Sequence, residues 1–181
     1  MRLFIGIPLA DEVVSELSVI RERLRKTGHG LRWPPPETWH ITLQFLGETQ
    51  AEQYAGITER LRGLRAEPVP VALEGLGFFE RAGIFHAGIR LAPELIALQQ
   101  RVAAEMTLCG FAPETRPFHP HITLARSKGR DPGQGLRVLK AKSCSQPRFS
   151  RFVAREFLLY ESFLGPGGSR YEVRERFGLG G

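Results

Sequence analysis

The sequence predicts a bilobal α+β fold, in which two pseudo-twofold-related β-α-β-α-β lobes with mainly antiparallel sheets flank a central cleft. Three observations predict it. Strand-like and helix-like runs alternate along the chain, their order repeats once at a fixed spacing, and the tetrapeptide His-Ile-Thr-Leu stands at the same place in both copies, at residues 40–43 and 121–124.

In the first half, Leu3-Phe4-Ile5-Gly6-Ile7 is a short apolar run closed by Pro8, as in a buried strand. Asp11 is an N-cap candidate for a helix whose Val13, Val14, Leu17, Ile20 and Leu24 share one face. Lys26 in the last turn and Gly28 beyond it predict the stop. After the Trp33-Pro34-Pro35-Pro36 loop, residues 40–46 read as a strand. Thr49 and Glu52 have capping-box spacing, and Tyr54, Ile57, Leu61 and Leu64 continue as a helical stripe. Val69, Val71 and Leu73 alternate as in a strand.

The second half repeats the order. Residues 84–89 read as a strand. Pro93 opens a helix with Leu95, Leu98, Val102 and Met106 on one face, and Gly110 stops it. Residues 121–125 form another strand, and a weaker helical segment follows around Leu136 to Leu139. A long strand over 152–163 returns as 171–177 across the glycine-rich turn 165–168. Leu3 to Ile84 and His40 to His121 are each 81 positions apart, and Asp11 to Pro93 is 82. We read this as a duplication within one domain, 1–181, with lobes near 1–81 and 82–181 and exchange of strands between them left open.

The bulk figures narrow the class. With 181 residues, 42% hydrophobic and 24% charged, the chain is neither disordered nor collagenous nor a coiled coil. The net charge of +6 is a modest hint of an anionic partner. Cys109 and Cys144 form no C-x-x-C pair and are expected as reduced thiols. The apolar run at the start is cut off by Asp11 and Glu12, too short for a signal core or a membrane span. A cytoplasmic monomer with no membrane association is expected.

In a strand, His and Thr two positions apart share a face, while Ile and Leu take the other. Packing explains a repeated Ile and Leu, but not a repeated His and Thr. Two such strands across a cleft supply two imidazoles and two hydroxyls, a set suited to phosphodiester chemistry. One group removes a proton from the attacking oxygen, another protonates the departing one from the opposite side, and hydroxyls hold the charged oxygens. This scheme requires no metal and no cofactor.

The twin motif resembles the two-histidine (2H) phosphoesterase superfamily. Within it, residues 1–5, Trp39 to Leu43 with Phe45-Leu46-Gly47, Arg116 to Arg126, and Tyr160-Glu161-Ser162 with Tyr171 resemble the RNA 2′,3′-cyclic phosphodiesterases, also called 2′-5′ RNA ligases. The resemblance implies metal-independent hydrolysis of an RNA 2′,3′-cyclic phosphate end to a 2′-phosphate, with possible reverse ligation. It implies that His40 is the proton donor, His121 the proton acceptor, and Thr42 and Thr123 the phosphate-holding groups. The residues alone leave the two histidine roles open. A small cyclic nucleotide, an ADP-ribose cyclic phosphate or a 2′-5′ oligonucleotide are alternative substrates, and a non-catalytic RNA-end binder is the alternative from another class.

Arg126 ends the second motif strand and is a phosphate-binding candidate, with Lys128 and Arg130 able to steer RNA. His119 is expected to be structural rather than a metal ligand. His86, Phe4, Phe85, Trp33 and Trp39 are candidates for facing the cleft or stacking on bases.

Overall fold

The structure, a computed structural model, describes residues 1–26, 30–128, 136–137, 139–140, 147–166 and 168–180. In chain order the elements are β1 (Arg2–Pro8), α1 (Asp11–Arg25), β2 (Leu31–Arg32), β3 (His40–Glu48), α2 (Ala51–Gly63), β4 (Val69–Val71) and β5 (Leu73–Phe79). Then come β6 (Ile84–Ile89), α3 (Pro93–Leu108), β7 (His121–Ser127), β8 (Phe152–Ala154), β9 (Glu156–Gly165) and β10 (Gly168–Gly178).

Two four-stranded antiparallel sheets form, in the orders β10-β9-β1-β3 and β2-β7-β6-β5, beside a small β4-β8 pair. Each is built on the same core unit: a first strand, a helix, then the histidine strand paired back on the first. The third strand is exchanged. β5, from the N-terminal half, flanks β6, whereas β9, from the C-terminal half, flanks β1. β3 and β7 contact one another, so the two histidine strands meet.

One continuous apolar core joins both sheets. It takes Leu3, Ile5 and Ile7 from β1, Phe85, Ala87 and Ile89 from β6, Val13, Leu17, Ile20 and Leu24 from α1, and Leu95, Leu98, Val102 and Met106 from α3. Fully buried side chains of this size each contribute roughly 1.5–3 kcal/mol, so this shared core holds the sheets in fixed relation. Among the described residues no helix is long and apolar enough to cross a membrane.

Several local expectations shift. α1 begins at Asp11 itself with Ala10 as its N-cap, so Asp11 sits in the first turn, where its charge suits the helix dipole. Gly28 lies outside the described residues. The capping box of α2 is Gln50 with Gln53, not Thr49 with Glu52. Thr49 is taken up by the end of β3, where its N–H donates to the Met1 carbonyl and its hydroxyl to that of Gly47. Pro93 starts α3 as expected, and Gly110 follows its end with a φ of 87°.

Val69, Val71 and Leu73 do not share one strand, because the chain changes sheets at Ala72. The long C-terminal strand likewise divides at Arg155: Ala154 pairs with Val69 while Phe157 pairs with Phe177. Leu136 and Leu139 are buried and the described residues 136, 137, 139 and 140 are helical. The full extent of that segment, like Arg130 and Cys144, lies outside the described residues.

Candidate active site

His40 opens β3 and His121 opens β7, and the chain prepares each in a similar way. Before His40, the proline-rich loop forms a single 3-10 turn over Pro36–Thr38, leaving the Thr38 carbonyl free to receive His40 Nδ1 at 2.8 Å. Before His121, Pro120 biases His119 to an extended conformation, and the His119 carbonyl receives His121 Nδ1 at the same 2.8 Å. Both Nδ1 atoms therefore carry the proton, and both Nε2 atoms are left as the chemically open nitrogens. His119 acts through its main chain, its side chain being exposed.

The register places the partners of the motif. Thr42 lies opposite Gly6, and Thr123 opposite His86; His40 lies opposite Pro8, and His121 opposite Gly88. Gly6 thus corresponds to His86, 80 positions apart rather than the 81 expected from Leu3 and Ile84. The one-residue difference puts His86 on the side of Thr123. Its ring stacks on Phe79 at 4.1 Å and meets His121 edge to face at 5.5 Å. Phe79 was invisible in the sequence because Gly75 and Gly77 mask the period of β5. Gly77 leaves room for the His86 ring: a Cβ on it would fall 2.8 Å from His86 Cε1.

Both histidine strands contain an extra residue just after the motif threonine, Leu43 in β3 and Leu124 in β7, where the register slips; β3 slips a second time at Leu46. The bulge after each threonine buries two successive residues and turns the next one outward. Strict alternation from His121 would send Ala125 toward the cleft. With the bulge, Ala125 is buried and Arg126 takes the same side as His121 and Thr123. The corresponding residue of β3 is Phe45, 68% exposed.

His40 is walled by Phe4, Tyr171 and Tyr160, at ring separations of 4.5, 5.3 and 5.7 Å. Phe4, Leu158 and Tyr160 form a separate small cluster on the face of the first sheet opposite the main core. Phe4, only 2% exposed, supports His40 and has no face free for a base. Phe85 and Trp39 belong to the main core, and half-buried Trp33 packs against Phe85.

Burial holds the His40 pKa down to about 4, opposed by its bond to Thr38 and assisted by the charges of His121 and Arg126. Burial also lowers His121, with Arg126 and His119 adding to the effect against the His119 carbonyl bond. His86 is lowered to about 4 by burial and by His121. His121 and Arg126 belong to β7, the strand of the second sheet that contacts β3, and their charges act on His40 from there. Lys128 is exposed just beyond, its N–H bonded to the Gly30 carbonyl.

Two imidazoles of one tautomer, two hydroxyls and a guanidinium between twin sheets define a bilobal protein equipped for acid–base chemistry at an anionic centre. The chain belongs to the 2′-5′ RNA ligase superfamily, whose profile matches residues 9–161. It is 32% identical to the RNA 2′,3′-cyclic phosphodiesterase of Archaeoglobus fulgidus, over 95% of this chain and 97% of that one. It is 34% identical to the protein of the same name from Thermotoga maritima, over 96% and 92%. Among solved structures, apo Escherichia coli LigT superposes with a TM-score of 0.80 at 27% identity, over 98% of this chain and 96% of that one. The same protein complexed with 3′-AMP gives 0.79 at 26%, over 98% and 97%.

Proposed function

We propose that this chain hydrolyses the 2′,3′-cyclic phosphate at an RNA end to a 2′-phosphomonoester. The observation that carries the reading is the pair of matched Nδ1-to-carbonyl bonds, which leave two Nε2 atoms free to exchange protons in one cleft. Family membership and the names of the similar proteins support the substrate.

His121 Nε2 accepts a proton from water as the water oxygen bonds to phosphorus. The bond from phosphorus to O3′ breaks in line, and His40 Nε2–H gives its proton to O3′. The product carries a free 3′-hydroxyl and a 2′-phosphate. His121 leaves the step protonated and His40 neutral, and the excess proton returns through solvent. Thr42 and Thr123 donate to the non-bridging oxygens while Arg126 balances the charge gathering there. With a 5′-hydroxyl in place of water, the same transfers form a 2′-5′ linkage. All these groups come from one chain, consistent with a monomeric enzyme.

His40→Ala or His121→Ala should lower kcat by about 10²-fold or more, the size of an acid or base contribution. Defined RNA ends, incubated and resolved into 2′- and 3′-phosphate products, test the reaction: exclusive 3′-phosphate, or undiminished turnover in either variant, refutes it. The rate should be unchanged by EDTA, because acid, base and counter-charge are all side chains.

A further inference from the structure

Arg32 was not singled out by the sequence. It forms half of the two-residue strand β2, and its partner across that strand pair is Arg126. Residues directly opposite in an antiparallel pair share a face, so the two arginines stand side by side on the exposed face while Leu31 is buried behind them. Like charges directly opposite are unfavourable. Nine other arginines among the described residues, at 21, 25, 60, 62, 90, 116, 170, 174 and 176, have a glutamate partner, while others, Arg2, Arg23 and Arg81 among them, have none. Among the described residues, neither Arg32 nor Arg126 has one.

The position is built, not loose. Arg21 donates from Nε to the Pro34 carbonyl at 3.2 Å and from Nη2 to that of Trp33 at 3.4 Å. The Lys128 N–H holds the Gly30 carbonyl at 2.7 Å on the other side. Arg32 Cδ also lies 3.7 Å from where a side chain on Gly168 would begin. Gly168 belongs to the β9-β10 hairpin of the opposite sheet, so the stem of Arg32 crosses between sheets.

We infer that Arg32 forms a second phosphate subsite, one strand spacing of about 4.8 Å beyond Arg126, and that it takes the internucleotide phosphodiester on the 5′ side of the terminal nucleotide. This rests on the reaction proposed above and deepens it: Arg126 serves the cyclic phosphate, and Arg32 distinguishes a polymer end from a mononucleotide. A bound phosphodiester replaces the missing acidic partner and relieves the repulsion between the two guanidiniums.

The test compares a 2′,3′-cyclic mononucleotide with a trinucleotide ending in the same group. Arg32→Gln should lower the trinucleotide-to-mononucleotide ratio of kcat/KM about tenfold, the loss lying in the trinucleotide KM. The slope of log kcat/KM against log salt for the trinucleotide should flatten by about 0.7, the value for one single-strand phosphate. Arg32→Lys should recover much of the ratio. An unchanged ratio, whether both substrates suffer equally or neither does, overturns the assignment. Fluorescence anisotropy with a labelled trinucleotide bearing a 2′-phosphate reads the subsite without turnover. Equal binding by wild type and Arg32→Gln overturns the subsite, whereas a wild type that binds this end but cleaves neither substrate overturns the reaction and leaves the subsite standing.

Discussion

His40 presents a proton donor whose proton is held weakly at rest. With its pKa near 4, it is neutral in the free protein around pH 7, yet the proposed step needs it charged. A bound phosphodiester adds a negative charge that opposes His121 and Arg126 and raises the His40 pKa in the complex. The alkaline limb of kcat, which reports the complex, should therefore lie at higher pH than that of kcat/KM, which reports the free protein. Coincident limbs in steady-state pH profiles would contradict this. Arg126→Gln removes one depressing charge from both histidines and the counter-charge from the phosphate; kcat should fall about tenfold or more while the alkaline limb of kcat/KM shifts upward.

The strands place these residues through exceptions to their own regularity. The bulges at Leu43 and Leu124 aim Phe45 and Arg126, and two glycines make room for rings. A Cβ on Gly6 would fall 2.8 Å from the Ile41 carbonyl oxygen and 3.3 Å from His40 Cδ2, whereas one on Gly77 would meet only the His86 ring. Gly6→Ala should thus push β3 away and reduce both Tm and kcat, and Gly77→Ala, which a side-chain movement can relieve, should cost less Tm. Thermal melts and turnover of the two variants decide it. The same irregularities mark where sequence reading stopped. Helical stripes, the strands around both motifs and the histidine pair were legible because period and repetition declare them. The sheet exchange at Ala72 and Arg155 was not, since one alternating pattern serves two sheets equally well. Arg32 was hidden because a two-residue strand has no period at all, and its meaning lies in a partner 94 positions away.

At the scale of the molecule, three partly buried imidazoles couple folding to pH. The folded pKa values of His40 and His86, near 4, lie below the ordinary 6.5, and His121 is shifted in the same direction. The unfolded chain therefore binds more protons as pH falls below about 6.5, and stability declines until the folded-state values near 4 are passed. Tm should drop across that window, and His86→Phe should make the drop shallower. The interleaved sheets also govern assembly, since β1 stays unpaired on one side until β9 has been made. Synthesis at about 5–20 residues per second leaves a nascent chain holding the first histidine strand for several seconds without a finished first sheet. The exchange of strands thus ties the first histidine to the end of the chain: a translation product stopped before residue 156 carries both histidines yet lacks the wall of Tyr160 and Tyr171 behind His40.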